Sequence, residues 1–388
     1  MRKLLPMLSL VILFTFAGGF YSGVVYKETE SVQSSSEFGH HFKRSPQLNL
    51  SAKEIPEIVP DSPKVLMGYV QDYQMPGKTD YSQLSHVLFS FAHPTESGGI
   101  LLSGDHAWDN LRQTVKLAHE QNAEVLLAVG GWFHMNGGKS YPYFRKAISN
   151  ETSRTKLVNE LVKLVKQEDL DGVDIDFEHP RSQEDAQFLA SFIKELKAKL
   201  EMMEKELSTA VYSKVDSVTG QENKSVIFLP SMFEAVDYVN IMAYDGQWDG
   251  GYDAANLSPY PFTENIVQYW SQLFELHGIP KDKLVLGVPF YAQPDDPSKP
   301  VLPYSAIVKK GNENALKDSV AVNGVNYYYN GRDTIRKKTD LALANDYGGM
   351  MIWEAGHDAQ GENSLTRIIR DVLKQEEDKE GDLFWEKN

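Results

Sequence analysis

The sequence predicts an α/β fold: a parallel (β/α)8 TIM barrel with a short insertion after strand seven. Three observations carry that expectation. Eight β-rich runs alternate with helical patterns between Lys64 and Glu376, and alternation of this kind builds a parallel sheet covered by helices. Acidic and aromatic residues fall at the C-terminal ends of those runs, where such barrels carry their chemistry. No Gly-x-Gly-x-x-Gly turn follows the first run, which weakens a doubly wound open sheet as the alternative.

The strand-like runs cover residues 65–70, 86–91, 124–130, 171–178, 207–212, 236–243, 284–290 and 349–353. Helical spacing separates most of them. Residues 155–167 place Leu157, Val158, Leu161, Leu164 and Val165 on one face. Residues 182–201 do the same with Leu189, Phe192, Ile193, Leu196 and Leu200, and Ser182 with Asp185 resembles a capping box. Between runs seven and eight, Pro294, Pro297, Pro300 and Pro303 precede two β-rich segments, 320–322 and 325–329. These flank Asn323 and Gly324, a hairpin signal. A hairpin alone is too small for a packed subdomain, so one wall beside the barrel mouth is expected to be low.

The fourth run holds Asp174, Asp176 and Glu178 at alternate positions, with Val173, Ile175 and Phe177 between them. Strand side chains alternate faces, so three carboxyls share one face and three apolar side chains the other. Like charges disfavour their own ionisation, and burial adds a desolvation penalty. A solvent-facing acidic edge or a hard-cation site would also use such residues. No EF-hand loop or His-x-x-x-His pair accompanies them. The pattern is read as carboxyls sharing protons, with Glu178 held as an acid near neutral pH.

The other strand ends agree. Asn240, Met242 and Tyr244 share the inward parity of run six, and Asp245 follows. Tyr69, Tyr291 and Trp353 close runs one, seven and eight. Aromatic rings around carboxyls make a sugar site by composition, because flat apolar rings stack on the C–H faces of pyranoses.

Whole-chain properties narrow the class further. The net charge of −15 over 388 residues argues against nucleic acid. With no cysteine, thiol catalysis, disulfides and zinc–thiolate sites are excluded. Arg2 and Lys3 precede an apolar run over residues 4–26, which reads as a signal peptide or an uncleaved signal anchor. The expected organisation is a leader or anchor over 1–26, a linker over 27–63, a catalytic barrel over 64–376 and an acidic tail over 377–388. A monomer is expected, secreted or otherwise extracytoplasmic, with membrane contact only through an uncleaved N-terminal segment.

These residues resemble glycoside hydrolase family 18, the chitinase family. Asp171 to Glu178 matches its D-x-x-D-x-D-x-E signature, and Met242 to Asp245 its M-x-Y-D. Residues 287–291 resemble its strand-seven segment and Trp353 its strand-eight tryptophan. Ala128 to Gly131 corresponds to its S-x-G-G with Ala in place of Ser, which removes a hydroxyl that helps hold the acidic cluster. The resemblance covers roughly residues 64–376. It implies substrate-assisted retaining hydrolysis of N-acetylglucosamine polymers, without a cofactor or metal; this family is a known exception to the two-carboxylate scheme. The sugar's 2-acetamido oxygen attacks the anomeric carbon. Glu178 protonates the leaving oxygen and later takes a proton from water. Asp176 holds the acetamido N–H, Asp174 shares a proton with Asp176, and Tyr244 donates to the acetamido oxygen. Met242, Asp245 and Trp353 line the pocket. Two alternatives remain: an endo-β-N-acetylglucosaminidase acting on N-glycan or peptidoglycan, and a chitin-binding lectin-like protein. A low wall beside the groove would favour internal cleavage over chain-end attack.

Overall fold

The computed structural model describes residues 63–104 and 106–386, with side chains as far as Glu376. The expected leader or anchor, and the linker up to residue 62, lie outside the described residues. In chain order the strands are β1 (Val65–Gln71), β2 (His86–Pro94), β3 (Ile100–Leu102), β4 (Glu124–Gly130), β5 (Gly172–Asp176), β6 (Glu206–Tyr212), β7 (Tyr238–Met242), β8 (Leu284–Pro289), β9 (Tyr291–Pro294), β10 (Leu302–Pro303), β11 (Ser319–Val322), β12 (Val325–Tyr328) and β13 (Gly349–Trp353). Eight of them, β1, β2, β4, β5, β6, β7, β8 and β13, form a closed parallel ring, with β13 hydrogen-bonded back to β1. These are the eight expected runs. The short β3 pairs antiparallel with β2 outside the ring; three residues are too few to show a period in sequence.

Helices cover the ring after most strands. One of them, Gln183–Glu201, shows why. Ser182 caps it by accepting the Asp185 N–H at 3.1 Å. Its face of Leu189, Phe192, Ile193, Leu196 and Leu200 is buried against the strands. Each such side chain contributes roughly 1.5–3 kcal/mol on burial. Truncating Leu196 to Ala would cost about 2–5 kcal/mol. The helix Glu151–Gln167 starts four residues before its apolar pattern does, because Asn150 accepts the Ser153 N–H and caps a polar first turn. The crossover from β1 to β2 has only two 3-10 turns, Pro76–Lys78 and Tyr81–Gln83.

Strand alternation divides the interior in two. Val173 and Ile175 of β5 join the layer between ring and helices. Met67, Tyr69, Leu88, Leu126, Ala128, Val285 and Met351 fill the barrel itself. At the floor, where the strands begin, His86 is buried between two glutamates. Its Nε2 lies 3.0 Å from Glu206 and 3.2 Å from Glu124, and its Nδ1 meets Ser85 Oγ at 2.8 Å. Burial opposes protonation of His86, but the hydrogen bonds and charges of Glu124 and Glu206 outweigh it and raise the pKa to about 9.

The insertion corrects the expectation of a lone hairpin. The hairpin of β11 and β12 is present, but β12 also pairs with β9, and β9 with β10. The result is a four-stranded antiparallel sheet in the order β10-β9-β12-β11. A short helix, Tyr304–Val308, packs with it through Tyr304, Ile307 and Val308. Strands of two to four residues, two of them ending in proline, give no sequence period. A sheet of this size can pack as a unit, so the basis for a low wall, and with it for preferring internal cleavage, is removed.

Candidate active site

The parallel register sets the acidic cluster. Asp174 on β5 lies beside Ala128 on β4 and Ser208 on β6. Fully buried inside the barrel, it accepts three hydrogen bonds: from Tyr69 Oη at 2.6 Å, Ser208 Oγ at 2.6 Å and Asn240 Nδ2 at 3.1 Å. Burial raises its pKa and these three donors oppose the rise. Ala128 offers no hydroxyl from β4. Ser208 supplies one from the other neighbouring strand.

Asp176 is the last residue of β5, and Glu178 stands two residues beyond the strand end rather than closing it. Asp176 is buried and hydrogen-bonded to Glu178. Glu178 acts on it most strongly of its neighbours, and the Asp174 charge acts on it as well. Burial raises the pKa of Asp176 well above the usual carboxylate range, helped by the charges of Glu178 and Asp174. The Glu178 side chain is 16% exposed. Burial, then the Asp245 charge, pushes its pKa up to about 8, against the lowering effect of its bond to Asp176. The pair holds a proton near neutral pH. Asp176 Oδ1 has no partner. Gly130 lets β4 approach: a Cβ there would fall 2.0 Å from the Asp176 carbonyl oxygen, and its φ of 121° excludes most side chains.

Beside the acids stand the predicted side chains that follow β7 and β8 and the one that closes β13. Tyr244 is buried, and among the described residues its hydroxyl meets only Met351 Sδ, at 3.9 Å. Gly287 makes room for it: a Cβ on Gly287 would lie 3.1 Å from the Tyr244 ring and 2.3 Å from the Ile241 carbonyl oxygen. Asp245 adopts a left-handed backbone, φ 64°. It accepts from Tyr291 Oη at 2.5 Å and Gln247 Nε2 at 3.0 Å. Burial raises its pKa and these donors counter the rise. Burial, then nearby carboxylates, also raises Tyr244 and Tyr291, so both remain O–H donors. Met242 and Trp353 are half-buried and pack with the barrel interior.

Tyr69 departs from its expected place on the substrate surface. It is 2% exposed, its hydroxyl is committed to Asp174, and its ring lies 5.2 Å from that of Trp353. It supports the acid cluster and Trp353 from below. Sequence reasoning missed Phe91, which stacks on Trp353 at 5.8 Å. The register of β2 against β4 shifts between Ser90 and Ala92, so parity alone could not place it. Also missed was His179, whose Nε2 lies 3.6 Å from Glu178; burial, with Arg181, lowers its pKa to about 3 and keeps it neutral. Trp132, Phe133 and Trp248 are exposed just past β4 and β7. The signal for them was present: large aromatics directly after strand ends. Among the described residues one set of metal-ligating groups converges, His86 with Glu124 and Glu206, at the opposite end of the barrel.

A closed parallel barrel with a proton-sharing carboxyl pair at the C-terminal end of one strand, ringed by tyrosines, defines a glycoside hydrolase of the chitinase class. The chain belongs to glycosyl hydrolases family 18, whose model matches residues 65–358. It is 24% identical over 353 residues to endochitinase 1 of Metarhizium robertsii, covering 76% of this chain and 80% of that protein. It is 25% identical over 355 residues to chitinase 1 of Aphanocladium album, covering 76% and 81%. Among solved structures, a GH18 chitinase from the chitin utilization locus of Flavobacterium johnsoniae superposes with a TM-score of 0.67 at 26% identity, covering 81% of this chain and 95% of that one.

Proposed function

We propose that this chain cleaves β-1,4-linked N-acetylglucosamine polymers, chitin or chitooligosaccharides, by substrate-assisted hydrolysis with retention. The observation that carries the reading is the Asp176–Glu178 pair. Two carboxyls hydrogen-bonded to each other at one strand end cannot flank a scissile bond from opposite faces. The substrate's acetamido oxygen then supplies the nucleophile. Glu178, protonated near neutral pH, gives its proton to the leaving oxygen and later takes one from water. Asp176 takes the acetamido N–H; its Oδ1 is buried and unpartnered among the described residues, so the carboxyl turns towards the pocket when substrate binds. With the pair's proton on Glu178, Asp176 is the carboxylate whose negative charge stabilises the oxazolinium. Tyr244, with no oxygen partner for its hydroxyl among the described residues, donates to the acetamido oxygen. Asp174, held by three donors, fixes the strand beneath Asp176. Met242, Asp245, Tyr291 and Trp353 bound the pocket. The fungal relatives named as chitinases favour chitin over an N-glycan or peptidoglycan. Glu178 favours turnover over lectin-like binding. Digestion of chitin, peptidoglycan and a glycoprotein side by side tests this, with products read by mass spectrometry. Short N-acetylglucosamine oligomers from chitin are expected; release from the other two alone would overturn the substrate assignment.

The same reading places the work outside the cytoplasm, by a monomer of four segments: leader or anchor 1–26, linker 27–63, catalytic barrel 64–376 and acidic tail 377–388. Arg2 and Lys3 ahead of an apolar run support it. Among the described residues no helix is long and apolar enough to cross a membrane; membrane contact is assigned to the N-terminal segment where it stays uncleaved. N-terminal sequencing of the exported protein tests the leader, and light scattering the monomer.

A further inference from the structure

Lys338 sits within the helix Arg332–Leu343 and is fully buried. Its Nζ donates to three oxygens: Ser258 O at 2.6 Å, Ser258 Oγ at 2.7 Å and Asn330 Oδ1 at 2.7 Å. All three are acceptors here. The Ser258 hydroxyl spends its own hydrogen on the Ala243 carbonyl at 2.5 Å. The Asn330 amide donates through Nδ2 to Ser258 O at 3.0 Å, which fixes Oδ1 towards the lysine. An ammonium group has three hydrogens for these three acceptors, whereas a neutral amine has two. The bonding therefore demands the charged form, although burial works against it and lowers the pKa to about 7. Asp318 is the one titratable group among the described residues with an effect on it. Asp318 itself lies off the end of the helix, bonded to Gly331 N and Thr334 Oγ1.

The place of those acceptors gives the bonds their meaning. Ala243 and Ser258 are the two ends of one loop. Gly246 N to Leu257 O, at 3.2 Å, closes the loop just above them. Within it lie Tyr244, Asp245, Gln247, Trp248 and Tyr252. Asn330 follows β12, the strand through which the insertion sheet leaves, and Tyr252 Oη is bonded to the insertion at the Pro294 carbonyl. Helix, loop and insertion thus meet at one ammonium group. Tyr244 directly follows the carbonyl that the Ser258–Lys338 pair holds.

We propose that Lys338 is a positioning residue for catalysis: its ammonium pins both ends of the 243–258 loop and so sets Tyr244 and Asp245 against Asp176 and Glu178. The proposal rests on the glycosidase reading above for its catalytic consequence, but not for its structural one. Displacing a reacting group slightly is enough to lower the rate strongly, and among the described residues the Tyr244 hydroxyl has no oxygen or nitrogen partner to hold it.

Two variants of the full chain test this. Lys338→Met keeps the length and removes the charge. Asn330→Asp keeps the lysine and gives it a carboxylate partner, which raises its pKa, with loss of the Nδ2 bond to Ser258 O. Hydrogen exchange, corrected for the intrinsic rate at each pH, reads the loop without any substrate. In Lys338→Met at pH 6, peptides within 244–257 should exchange about tenfold faster or more, while the helix Gln183–Glu201 is unchanged. Wild-type loop protection should fall as the pH rises from 6 to 9. Asn330→Asp should retain it, and this arm stands even where Lys338→Met does not fold. On a chitooligosaccharide, Lys338→Met should lose about tenfold or more in kcat with KM within about twofold. Unchanged loop protection in a folded Lys338→Met would overturn the proposal, as would identical pH dependence in wild type and Asn330→Asp. Failure of the wild type to cleave any such oligosaccharide would sink the glycosidase reading instead, and the exchange arm would still decide the role of Lys338.

Discussion

The two ends of the barrel carry opposite electrostatic designs. At the floor, one imidazolium lies between two glutamates, and each charge faces its opposite. At the mouth, Asp174, Asp176 and Glu178 are crowded together with Asp245 nearby, and no cation lies within ion-pair distance of any of these carboxyls among the described residues except the side chain of His179, which burial keeps neutral. The floor is arranged so that ionisation favours the fold. At the mouth ionisation opposes it, and protons stay on carboxyls at pH values where they would leave in water. A stability-driven sequence has no reason to bury three carboxyls on one strand face; a proton-transfer site does.

The largest expected break comes at the mouth. Glu178→Gln keeps shape but removes the transferable proton. Turnover should fall by at least about a hundredfold to ten-thousandfold with the fold intact; retention of more than about a tenth of wild-type turnover would refute the assignment of the acid. Tyr244→Phe removes only a hydroxyl. Its kcat is expected to drop about tenfold to a hundredfold with KM little changed, since the contact matters most as the oxazoline forms. Steady-state kinetics on a fluorogenic chitooligosaccharide separates the two parameters.

At the floor the effect falls on stability. His86 has a folded pKa of about 9 against 6.5 for the free side chain. Its contribution is fully present below about pH 6.5 and is lost as the pH rises through 9. His86→Gln should therefore lower unfolding free energy at pH 6 by about 1–3 kcal/mol, after discounting for the exposed side of Glu124. The deficit should shrink towards pH 10 in urea titrations. A deficit independent of pH would mean that packing, not charge, explains the cluster. The mouth should respond in the opposite sense. Glu178 has a folded value of about 8 against 4.5 when free, so its ionisation increasingly disfavours the fold between those pH values. Glu178→Gln should gain stability relative to wild type across that window and show little difference at pH 4. A gap that closes as the pH rises would contradict the raised pKa.

Much of the mouth was legible because a strand repeats every two residues. Asp174, Asp176 and Glu178 fell on one face by counting, and so did Asn240 and Tyr244. What parity could not supply was depth. Tyr69 has the right parity but sits one layer down, where its hydroxyl serves Asp174 rather than a sugar. Ser208 lies on a run whose apolar pattern is weak, and only the strand register shows that it faces Asp174. Phe91 follows an irregularity that resets the count. The insertion sheet was hidden because two of its strands are too short to have a period and its pairing is non-local. Lys338 was invisible for a related reason. In sequence it is one more lysine on a polar helix, and its three acceptors come from residues 258 and 330.

In the mechanism proposed above, the substrate, not a second protein carboxylate, supplies the nucleophile. The most direct test compares two fluorogenic oligosaccharides that differ only in the N-acetyl group of the sugar whose anomeric carbon is attacked. The account predicts cleavage of the acetylated substrate and loss of at least about a thousandfold for the deacetylated one, since the nucleophile itself is removed. Comparable kcat/KM values for both would contradict it.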